Sequence, residues 1–261
     1  MAKSTRRDSL RILAFLGVAA FVMARPWQHL SGPGLAFTSL VDVPPFRSLL
    51  GGGDVSGSPL GVALVGIDDP NEPSRRDLDL ESRLRARLCQ TLLAGWTHDG
   101  PVPVTYFTDI RCPICEPVER DLARLIGRTS GSIQLTTREF PIFGEVSVSA
   151  ARAILAAGQF GAAEEMRTML RRRGGRVLSG DLGQVAESAG STAPEIIAAM
   201  DGDEVTGRLT EDMAMAAVLS LPGTPALVIG RTVVVGQRDL ATMEAIVEAE
   251  RQEGPPPCVI V

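Results

Sequence analysis

The sequence predicts an α/β domain in the order strand, helix, strand, helical block, strand, strand, helix, preceded by an irregular N-terminal arm. Three observations carry this. Val102 to Thr108, rich in β-branched and aromatic residues, reads as a strand and runs through a short loop into Cys112-Pro113-Ile114-Cys115 and a helix. The region from Ser147 to Leu219 reads as short helices. Two short apolar runs then flank Gly230-Arg231, a hairpin signal.

The composition suits a globular chain. Of 261 residues, 44% are hydrophobic and 22% charged, which excludes global disorder. Aromatic residues are only 4%, so the core is aliphatic. A net charge of −5 leaves no electrostatic footprint for nucleic acid. The two histidines, His29 and His98, are far apart, which excludes a His-rich metal site. Four cysteines, Cys89, Cys112, Cys115 and Cys258, are too few for a disulfide-stapled scaffold.

From the N-terminus, residues 1–24 read as an export signal or anchor. Lys3, Arg6, Arg7 and Arg11 precede an uncharged apolar run, Ile12 to Ala24, that is short for a membrane span. Thr5 to Arg11 resembles a twin-arginine signal, although Ser9 stands where a large apolar residue is usual, so the general secretory route stays open. Cleavage after Ala24 fits the small residues there, while Met23 and Trp27 weaken the site and keep an uncleaved anchor as the alternative. Either way a periplasmic or other extracytoplasmic location is expected.

Residues 25–100 form an arm rich in Gly and Pro with one helix. Its apolar pieces, Leu35 to Val43 and Leu60 to Ile67, are candidate strands or surface segments. Asp77 to Leu93 has helical periodicity at Leu80, Leu84, Leu88 and Leu92. Cys89 lies beside that stripe and reads as a small buried hydrophobe.

The domain proper is expected over 101–252. After Cys115 a helix runs to about Gly127, with Val118, Leu122, Leu125 and Ile126 on one face. Ile133 to Phe140 is the second strand, and the helical insertion covers about 147–221. Thr192-Ala193-Pro194-Glu195 is a capping box with Pro just inside. Ala226 to Gly230 and Thr232 to Val235 are the last strands, and Asp239 caps a helix to about Gln252. Residues 253–261 are a Pro-rich tail in which Cys258 reads as a free or incidentally oxidised thiol.

Cys112 and Cys115 carry the chemistry. A thiolate is the nucleophile of disulfide exchange, and the unpaired N–H groups at a helix start stabilise it. The spacing lets Cys115 reach back one turn to resolve a mixed disulfide formed at Cys112. Pro113 suits a first helical turn, whereas Pro117 requires a kink or a shifted helix start. A thiolate metal site, zinc or copper, is the rival reading. Zinc lacks a second ligand pair nearby in sequence, so no metal and no cofactor is assigned. A redox-inactive chaperone or scaffold using the helical block is the other rival.

Gly223-Thr224-Pro225 immediately precedes the apolar strand Ala226 to Ile229. With Tyr106-Phe107-Thr108-Asp109, Cys112-Pro113-Ile114-Cys115, Arg138 to Ile142, Ala150 to Ala153 and Gly223 to Gly230, the chain resembles the DsbA-like branch of the thioredoxin superfamily from about Pro101 to Glu250. The resemblance implies a thioredoxin-like fold with a helical insertion, and a cis Pro225 facing the cysteine pair with Thr224 beside it. It implies thiol-disulfide exchange on exported proteins, as an oxidase, reductase or isomerase. Cysteine-containing exported polypeptides are then the substrates. A redox partner protein, with the membrane as one candidate location, resets the pair. Thr224, Pro113 and Ile114 are the expected substrate contacts. Ile114 stands where the strong oxidants of the family have His, so a weaker oxidant is expected, between roughly −120 and −270 mV.

Other polar residues read modestly. Asp109 and Glu116 lie near the pair and are candidates to tune proton transfer, although each reads more simply as a solvated loop or helix-surface acid, and Glu139 as a strand-end charge. Arg171-Arg172-Arg173 reads as an exposed helix end.

Overall fold

The computed structural model describes residues 34–56, 75–129 and 131–258. The export segment, His29 and the apolar piece Leu60 to Ile67 lie outside the described residues.

A six-stranded mixed sheet organises the fold, in the order β1-β2-β6-β5-β3-β4. β3 (Val102–Thr108) pairs in parallel with β4 (Ile133–Glu139) and antiparallel with β5 (Ala226–Ile229). β5 pairs antiparallel with β6 (Thr232–Val235) across the expected hairpin. β3 is interior to the sheet and nearly all of it is buried, Thr105 and Thr108 included, which is why its sequence shows no regular apolar–polar alternation. Two three-residue strands of the arm extend the sheet. β1 (Phe37–Ser39) pairs antiparallel with β2 (Arg47–Leu49), and β2 lies parallel to β6.

The arm helix α1 (Arg75–Leu93) buries Leu84, Leu88 and Leu92, the stripe that the periodicity marks. α2 (Cys115–Thr129) follows the cysteine pair. Five helices form the insertion: α3 (Glu145–Gly158), α4 (Ala163–Arg172), α5 (Ser179–Ser188), α6 (Ala193–Met200) and α7 (Asp203–Val218). α8 (Leu240–Glu253) closes the fold, with Asp239 accepting from the Thr242 N–H at 2.8 Å as its N-cap. The Thr192–Glu195 capping box is formed at the start of α6. α3 buries alanines at 150, 151, 153, 156 and 157, and these small side chains let α4, α6 and α7 approach it closely.

α1 packs on α7 and α2 on α8, while β4 meets α7. That last junction is ionic. Arg138 of β4 pairs with Asp212 of α7 at 2.6 Å, and Asp212 also accepts the Glu139 N–H at 3.0 Å. Glu139 pairs with Arg167 of α4 at 2.5 Å. Glu139 is therefore a buried, paired carboxylate and not a simple strand-end charge.

Two cysteine expectations are corrected. Cys89 is no isolated buried hydrophobe and Cys258 no free thiol: they form a disulfide across 169 residues, with Cα atoms 5.5 Å apart. The chain leaving α8 at Gly254 passes against the His98 ring just beyond α1, which brings the extended Pro-rich tail back to that helix. Distance in sequence hides such a pair.

Candidate active site

The loop between β3 and α2 is built on Asp109. Its carboxylate is buried and accepts from the Arg111 N–H at 2.8 Å, the Ser147 hydroxyl at 2.8 Å, and the N–H groups of Ile142 and Phe143 at 2.7 and 3.2 Å. It ties the active loop to the β4–α3 connection and to the first turn of α3. The solvated-acid reading of Asp109 is thus replaced by a structural one. Glu116, by contrast, is an exposed helix-surface acid paired with Arg120 at 2.7 Å.

Cys112 and Cys115 are joined as a disulfide, with Cα atoms 5.3 Å apart. The Cys112 N–H bonds the Asp109 carbonyl at 3.0 Å, and the Cys115 N–H bonds the Cys112 carbonyl at 3.3 Å. Cys115 is the first residue of α2, and Cys112 sits one turn ahead of it. Pro117 therefore falls in the first helical turn, where the missing N–H leaves no bond unmade. Of the two outcomes that Pro117 allows, a shifted helix start is the one observed.

Cys115 is fully buried and Cys112 nearly so, at 3% exposure. Pro113 is exposed and Ile114 half-buried, so these two face outward. Thr224 and Pro225 lie across from the pair and are buried. The Thr224–Pro225 bond is cis, and Cys112 Sγ lies 3.6 Å from the Thr224 carbonyl. The fold thus brings Cys112, Cys115, Thr224 and Pro225 together, with Pro113 and Ile114 on the rim.

Three further neighbours complete the site, and one of them, Glu119, escapes sequence reading. Tyr106 on β3 is buried and donates its hydroxyl to the Cys115 carbonyl at 3.2 Å, and burial raises its phenol above the ordinary value. Glu119 follows Cys115 by four residues on α2, which places it on the same helical face. It accepts from the Thr108 hydroxyl at 3.3 Å and pairs with Arg171 of the insertion. The i, i+4 spacing to Cys115 is the one signal that marks Glu119 in the sequence. Arg171 is therefore engaged with the active helix, whereas Arg172 is exposed.

Residues 103–248 match the model of the DSBA-like thioredoxin domain. No curated protein matches the sequence. Among solved structures, a thioredoxin-like oxidoreductase from Silicibacter pomeroyi DSS-3 is 31% identical, with 59% of this chain and 88% of that chain covered and a TM-score of 0.51. The thiol-disulfide exchange protein alpha-DsbA2 from Wolbachia pipientis is 21% identical, with 68% and 99% covered and a TM-score of 0.51. The catalytic domain of Proteus mirabilis ScsC is 20% identical, with 66% and 98% covered and a TM-score of 0.50. The last two bear on the fold alone.

Proposed function

Because the chain belongs to the DSBA-like thioredoxin domain family of oxidoreductases, we propose that it exchanges disulfides with exported polypeptides through Cys112 and Cys115. The observation that carries this is the placement of Cys112 Sγ one turn ahead of α2 and 3.6 Å from the Thr224 carbonyl. A helix start stabilises a departing or attacking thiolate, and a main-chain edge beside it orients an extended polypeptide.

In the oxidising direction a substrate thiolate attacks Cys112 Sγ. The Cys112–Cys115 bond breaks, and Cys115 leaves with the electron pair and takes up a proton. A second substrate thiolate then attacks the substrate sulfur of the mixed disulfide and expels Cys112 as thiolate. The substrate loses two electrons and the pair gains them. In the reducing direction the Cys112 thiolate attacks a substrate disulfide, and Cys115 resolves the intermediate. Cys115 is fully buried as the first residue of α2, so the intermolecular attack is assigned to Cys112, which lies one turn ahead and beside the Thr224 carbonyl.

The basic and apolar start of the chain supports a periplasmic location, where disulfides persist. Among the described residues no helix is long and apolar enough to cross a membrane. A redox partner protein resets the pair after each turnover.

Cys115→Ser should accumulate mixed disulfides through Cys112, seen as reducible adducts on gels, and Cys112→Ser should abolish exchange. Failure of Cys112 to form a mixed disulfide with a peptide disulfide, both in Cys115→Ser and in Cys115→Ser variants in which the approach to Cys112 is opened, overturns the reading.

A further inference from the structure

The arm does more than extend the sheet. Ser56 and Thr224 form an isolated antiparallel bridge. The Ser56 N–H donates to the Thr224 carbonyl at 2.7 Å, and the Thr224 N–H donates to the Ser56 carbonyl at 3.0 Å. Both main-chain polar groups of Thr224 are thereby taken, and its carbonyl is the atom beside Cys112 Sγ. Upstream, the Gly53 N–H donates to the Val235 carbonyl at 3.2 Å and the Gln237 N–H to the Asp54 carbonyl at 3.1 Å.

Two glycines permit this path. A Cβ on Gly53 would lie 2.1 Å from the Gln237 carbonyl oxygen. One on Gly236, where φ is +79°, would lie 2.5 Å from the Gly53 carbonyl. The strap is nevertheless lightly held. Asp54 is exposed, and Gly53, Val55 and Ser56 are only half-buried. Main-chain bonds hold it without any buried side chain, and any extended polypeptide offers the same bonds.

A substrate cysteine must reach Cys112 Sγ, and a strand pairing with Thr224 would deliver it there. That place is filled by residues of the same chain. We propose that segment 53–56 is an internal stand-in for the substrate strand, holding the Thr224 edge until an extended polypeptide displaces it. The proposal rests on the exchange reading above. Segment 53–56 and an incoming strand would compete for the same two main-chain groups of Thr224.

The test uses the full chain carrying Cys115→Ser and a cysteine peptide activated as its thionitrobenzoate disulfide. The Cys112 thiolate attacks the peptide sulfur and releases thionitrobenzoate, leaving the peptide on Cys112. Amide hydrogen exchange is then compared with and without peptide. The Ser56 and Gly53 amides should exchange at least tenfold faster once the peptide is attached, while the Thr224 amide stays protected. Release of thionitrobenzoate with Ser56 still protected overturns the strap and leaves the exchange reading intact. In the same Cys115→Ser background, Gly53→Val and Ser56→Pro, which crowd the strap or remove its donor, should speed release several-fold. Unchanged rates in both, with the fold retained, count equally against it. No release in any form overturns both readings, whereas release confined to the two loosened variants supports the strap.

Discussion

Glu139 shows what burial does to one carboxylate. Its surroundings push it up to about 6, because desolvation outweighs the pull of the Arg167 guanidinium, and Asp212 and Asp109 add to the rise. A carboxyl whose folded pKa exceeds its unfolded value near 4.5 binds its proton more tightly in the folded state. Its contribution to stability is therefore full below about 4.5 and is lost as pH rises through about 6. Glu139→Gln removes that titration. Urea unfolding at pH 7 and pH 5 should show the parent gaining on the variant as pH falls. A change of opposite sign would mean that Arg167 keeps the carboxylate charged throughout. Asp109 makes the complementary point, since one side chain satisfies three backbone donors and a hydroxyl at the loop that presents Cys112.

At the level of elements, the insertion is joined to the sheet largely through charge. Asp212 of α7 receives Arg138 and the Glu139 N–H from β4, and Arg208 approaches the same carboxylate at 3.2 Å. Burial raises Asp212 from its ordinary value, and the two guanidiniums limit the rise. Removing one member of a buried pair strands the other, which costs about 3–5 kcal/mol, whereas replacing both with apolar groups is often near neutral. Asp212→Ala should lose about that much in denaturant unfolding. The double variant Arg138→Met with Asp212→Leu should recover most of the loss. If the two have equal stabilities, the junction is held by apolar packing instead. The active helix is tied across by the same device, since Arg171 of α4 pairs with Glu119 of α2.

At the scale of the whole chain, the Cys89–Cys258 disulfide closes the longest loop, joining the arm helix to the tail beyond α8. A crosslink over so long a loop restricts the unfolded chain and typically adds about 2–4 kcal/mol. Cys258→Ser should lower stability by about that amount, seen as an earlier thermal transition without reductant. Exchange through Cys112 should persist at temperatures where the variant is folded. An unshifted transition would show that the apolar contacts of α1 suffice to hold the arm.

Local patterns in the sequence settle much of the fold. Val102 to Thr108, the helix after Cys115, the hairpin at Gly230-Arg231 and the Thr192 and Asp239 caps all depend on residues within a few positions of one another. The Cys112-x-x-Cys115 spacing and Thr224-Pro225 likewise announce a redox pair and a special turn. Their meeting 112 residues apart is a property of the sheet, which places the entry to β5 beside the exit from β3. Tertiary structure also decided what local patterns cannot express. It paired Cys89 with Cys258, buried Asp109 and Glu139 with partners from other elements, and laid Ser56 against Thr224. Each of these depends on which distant groups become neighbours when water is removed. A buried carboxylate needs donors, and an exposed strand edge accepts any strand, but no periodicity along the chain records which ones arrive.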